Sequence, residues 1–67
     1  MTNEQSALDL HRTFYEVLVN YTKPYDRYEV SRRLAMETLY MEASNIEIST
    51  ERKLEIHKML IILSELK

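Results

Sequence analysis

The sequence of 67 residues contains no cysteine, no glycine and a single proline, Pro24. The absence of cysteine excludes disulfide bonds and thiolate metal sites, and it fits a reducing compartment. Glycine normally supplies tight turns and the loops that cradle phosphate groups, so its absence disfavours β-hairpins and P-loop nucleotide sites. Together these absences predict an all-α protein of the cytoplasm.

Long apolar runs and an excess of one charge are also missing. No window approaches the roughly 18 apolar residues of a transmembrane helix, and the N-terminal segment lacks the basic start and apolar core of a signal peptide. The net charge of −2 argues against a strongly basic nucleic-acid-binding protein. We therefore expect a soluble chain, with no membrane association, that forms a single helical domain over residues 1–67.

Apolar residues recur at helical spacing along three segments of the chain. This periodicity predicts helices at about residues 4–22, 25–44 and 50–66. The predicted fold class is all-α, either a small three-helix bundle or a helical hairpin that is completed by dimerisation. Four glutamates and no lysine or arginine lie between Arg33 and Arg52, whereas the last segment is mildly basic. This charge pattern suits antiparallel packing of the last two helices.

Each predicted helix has one apolar face that we assign to the core. In the first helix it consists of Ala7, Leu10, Phe14, Val17, Leu18 and Tyr21. In the second helix it is a broad face of Tyr28, Ala35, Met36, Leu39, Tyr40 and Ala43. In the third helix it consists of Ile56, Met59, Leu60, Ile62, Leu63 and Leu66.

The predicted helix ends depend on capping residues. The expected N-caps are Thr2 for the first helix and either Ser49 or Thr50 for the third. The second helix is expected to start between residues 24 and 27, because Pro24 suits a first helical turn and Asp26 offers a capping spacing. Asn45 is expected to end the second helix in a left-handed conformation, which asparagine tolerates better than other non-glycine residues. The following Ile46 and Ile48 are expected to lie in an extended connector and to cover the end of the bundle.

More apolar residues remain than a single small core needs. The leftover stripes are Leu8, Tyr15 and Val19 in the first helix, Val30, Leu34 and Met41 in the second, and Leu54 and Ile61 in the third. A monomer that exposed all three would carry an unusually large apolar patch. The predicted partner-binding residues are Val30, Leu34, Met41, Leu54 and Ile61. We expect a homodimer, and a small regulatory or adaptor protein that binds another protein through a helical surface.

The two histidines, His11 and His57, have no second ligand three or four residues away, so the sequence predicts no helical metal site. Both are expected at surface or boundary positions. No catalytic or cofactor-binding motif occurs, and we expect neither an enzyme nor a bound cofactor.

The alternative function is nucleic-acid binding by the segment from Lys23 to Arg33. Its candidate contacts are Lys23, Arg27, Arg32 and Arg33. At helical spacing the three arginines point in different directions and do not form a stripe that could follow a phosphate backbone. Nucleic acid is therefore the less favoured partner.

Overall fold

The computed structural model describes residues 2–21 and 23–66. Three helices account for most of them: α1 (Asn3–Leu18), α2 (Pro24–Ala43) and α3 (Thr50–Glu65). No strand occurs within these described ranges, and each helix packs against the other two. The all-α prediction is confirmed, and the architecture is the three-helix bundle rather than the hairpin.

The core lies where the three helices meet. Its fully buried apolar side chains are Ala7, Ala35, Leu39, Ile56, Met59 and Leu63. Further side chains from all three helices, among them Leu10, Phe14 and Leu60, pack against this cluster. Each core helix follows the predicted 3.6-residue spacing, and the predicted face of α3 is confirmed throughout. On α2 the predicted face is too wide, because Tyr40 is 55% exposed.

The caps Thr2 and Ser49 are confirmed, and α2 begins at Pro24, within the predicted range of 24 to 27, without the Asp26 cap. The Thr2 hydroxyl accepts a hydrogen bond from the Gln5 amide at 3.0 Å, and the Ser49 hydroxyl accepts one from the Arg52 amide at 3.1 Å. Helix α2 begins one turn earlier than an Asp26 cap requires, with Lys23 at the cap and no side-chain capping bond. The reason is Pro24, whose fixed φ angle suits the first helical residue.

Helix α1 ends at Leu18 and is therefore shorter than the predicted helix, which extended to residue 22. Val17 is 56% exposed, and Tyr21, which lies beyond the helix, is 79% exposed, so the assignment of both residues to the core is wrong. The Arg27 guanidinium of α2 donates from Nη2 to the Val19 carbonyl at 3.1 Å. This bond satisfies a carbonyl that the end of α1 leaves without a helical partner. Thr22, where the predicted helix ended, lies outside the described residues.

The connection between α2 and α3 differs from the prediction in two respects. No described residue has a positive φ angle, so Asn45 does not adopt the left-handed conformation. Its side-chain Oδ1 instead accepts a hydrogen bond from the Glu47 amide at 2.9 Å, which turns the chain without glycine. Ile48 packs against the core as expected. Ile46 is 94% exposed and does not cover the end of the bundle.

Replacing Ser49 by alanine should lower the free energy of unfolding by about 1 kcal/mol, because the first turn of α3 loses its side-chain acceptor. Urea unfolding followed by circular dichroism measures the change. Thr50→Ala is the matched control, since it removes the neighbouring hydroxyl, which is not the capping group. Equal stability of Ser49→Ala and Thr50→Ala would show that the cap does not contribute.

Candidate functional site

An open groove runs between α2 and α3 on the outside of the bundle. It encloses about 260 Å³ and is lined by Met36, Tyr40, His57, Leu60, Ile61 and Ser64. Tyr40 is 55% exposed and Ile61 is 45% exposed. Leu54 lies two helical turns before Ile61 and is 57% exposed. We call the groove together with Leu54 the α2/α3 surface.

The helical spacing of α3 explains why this surface is not part of the core. Ile56, Met59 and Leu63 occupy one side of the helix and are buried. Leu54 and Ile61 fall near the opposite side, at about 160° to 180° from Leu63 when each residue advances by about 100°. The sequence-based separation of these two residues from the core face agrees with their exposure.

The residues of the predicted stripe on α2 differ in their exposure to solvent. Met41 is 76% exposed, whereas Val30 and Leu34 are half-buried and lie outside the fully buried core. Of the five predicted partner-binding residues, Ile61 lines the groove between α2 and α3. Leu54 and Ile61 share a helix face, and Ile61 shares the groove with Tyr40.

A second, larger groove of about 380 Å³ lies where the three helices meet, and its walls carry several polar groups. Several of those groups bond to one another or to the local backbone. Thr13 donates to the Asp9 carbonyl and Thr38 to the Leu34 carbonyl. Because these hydroxyls are already engaged, we do not assign a ligand to this groove.

An ion pair beside the larger groove joins the end of α2 to the start of α3. Arg52 donates from Nε and Nη2 to the two carboxylate oxygens of Glu42, the second bond measuring 3.0 Å. The pair joins a residue of the acidic middle of the sequence to one at the start of its basic end, which agrees with the charge pattern. Hydrogen bonds from Arg52, and secondarily its charge, lower the pKa of Glu42 against the opposing effect of partial burial.

The lowered pKa of Glu42 predicts a loss of stability in acid. The contribution of the pair is fully present above the ordinary pKa of 4.5 and is lost as the pH falls through the lower pKa of the folded state. Glu42→Gln should therefore be less stable than the wild type at pH 7, and the difference should shrink at pH 3. Both side chains are more than a third exposed, so the effect is small and weakens with salt. A difference in urea midpoint that is the same at both pH values would contradict this account.

The basic segment from Lys23 to Arg33 makes contacts within the bundle. Besides bonding to the Val19 carbonyl, Arg27 lies over the Tyr15 ring, with Cζ 5.6 Å from the ring centroid. Arg33 pairs with Glu29 at 3.6 Å, and Arg32 lies 4.0 Å from the same carboxylate. Lys23 is exposed at the start of α2. The arginines are thus held by intramolecular contacts and present no continuous basic stripe.

The prediction that His11 lies at a surface or boundary position is wrong, because the residue is buried, with 8% exposure. Its Nε2 lies 3.1 Å from the Ser31 hydroxyl and 3.3 Å from the Tyr28 carbonyl, and the Ser31 hydroxyl itself donates to that carbonyl. A proton on Nε2 would find acceptors in the Ser31 hydroxyl oxygen and the Tyr28 carbonyl. The position was readable from the sequence, since His11 lies four residues after Ala7 on the core face of α1. His57 is exposed, as predicted.

Across residues 2–21 and 23–66, no three histidine, aspartate or glutamate side chains are grouped so that they could hold a metal ion. Within the same ranges, no helix combines the length and the apolar content that crossing a bilayer requires. Comparison with known proteins gives no match: no family model, no curated protein and no solved structure is significantly similar to this chain.

Proposed function

We propose that this chain is a small cytoplasmic regulatory or adaptor protein that acts by binding another protein through the α2/α3 surface. The observation that carries the proposal is the exposure of Tyr40 and Ile61, which line an open groove, and of Leu54, which lies on the same face of α3 as Ile61. Tyrosine and methionine are enriched at protein interfaces, and Met36 and Tyr40 line this groove. Covering exposed apolar side chains of this kind by a partner is favourable, roughly in proportion to the apolar area that is removed from water.

The shape of the surface favours a helical partner segment. Two helices that run side by side form a groove into which an amphipathic helix can place apolar side chains at i, i+3, i+4 and i+7. Leu54 and Ile61 lie two helical turns apart, so they repeat at the same interval as the anchors of such a helix. The groove therefore matches docking by a helix better than docking by an extended strand, which needs an open sheet edge.

Nucleic-acid binding through Lys23, Arg27, Arg32 and Arg33 is the weaker alternative. Arg27 is committed to the end of α1, and Arg32 and Arg33 share Glu29. Phosphate binding would have to replace these contacts. The apolar α2/α3 surface requires no such replacement, which is why we prefer a protein partner.

Affinity purification from the native host separates the two alternatives. We expect a protein to be retained after nuclease treatment, and the retention should change little between 0.1 and 0.5 M salt, because apolar contacts are not screened. Retention that disappears with nuclease, or that falls steeply with salt, would contradict the proposal, since phosphate contacts release counterions.

A further inference from the structure

We draw no further inference here: the strongest candidate, the apolar face of α3 formed by Leu54 and Ile61 beside the groove between α2 and α3, is flanked by exposed charges of both signs at Glu51, Lys58 and Glu65, and nothing in the structure shows what covers it.

Discussion

Leu39→Ala should lower the free energy of unfolding by about 2–5 kcal/mol, the usual range for removing a buried leucine side chain. Leu39 is 1% exposed and belongs to the buried cluster where the three helices meet. A domain of this length has a total stability of roughly 3–10 kcal/mol, so the substitution removes a large part of it. Urea unfolding followed at 222 nm should show a much lower midpoint or no folded baseline.

Ile46→Ala is the matched control for this experiment. Ile46 has a side chain as large as that of Leu39, but it lies in the connection between α2 and α3 and is 94% exposed. Its replacement should change the free energy of unfolding by no more than about 0.5 kcal/mol. If Leu39→Ala and Ile46→Ala unfolded at the same urea concentration as the wild type, the assigned core would be wrong.

Ile61→Glu should weaken binding of the protein partner by at least about thirtyfold while the chain remains folded. Truncation of an interface hot spot commonly costs 2 kcal/mol or more, which corresponds to that factor, and an unpaired carboxylate in an apolar groove adds a desolvation cost. In the unbound chain the same carboxylate stays hydrated, because Ile61 is 45% exposed. Isothermal titration with the purified partner measures the affinity, and circular dichroism checks the fold.

Val17→Glu supplies the control for Ile61→Glu. Val17 is an apolar residue of α1 with 56% exposure, and it does not line the α2/α3 groove. The Val17→Glu variant should bind the partner with wild-type affinity. Equal losses of affinity in both variants would mean that the binding depends on net charge or on overall stability rather than on the α2/α3 surface.

The fold was predictable where the residue spacing within a single helix determines which side chains are buried. The buried face of α3 follows from the spacing of Ile56, Met59 and Leu63 alone. The end of α1 was not predictable in this way, because Val17 and Tyr21 continue the apolar spacing. At this end of the helix a tertiary contact, the bond from Arg27 to the Val19 carbonyl, satisfies a backbone carbonyl, and spacing within α1 does not predict it.

The candidate site was predictable only in part, for a related physical reason. Helical spacing separates Leu54 and Ile61 from the core face, and this separation is confirmed by their exposure. The groove also needs Tyr40 of α2, which the same spacing assigned to the core. Whether Tyr40 is covered depends on how far α2 is rotated against α3, and that rotation is set by packing between helices and not by the periodicity of either one.

Site-specific photo-crosslinking tests the central claim, protein docking at the α2/α3 surface, most directly. A photoreactive amino acid is placed at position 61 in one variant and at position 17 in another, and each is irradiated with the native partner. We expect a crosslinked product from the variant that replaces Ile61 and none from the variant that replaces Val17. A product from position 17 and none from position 61 would contradict the account.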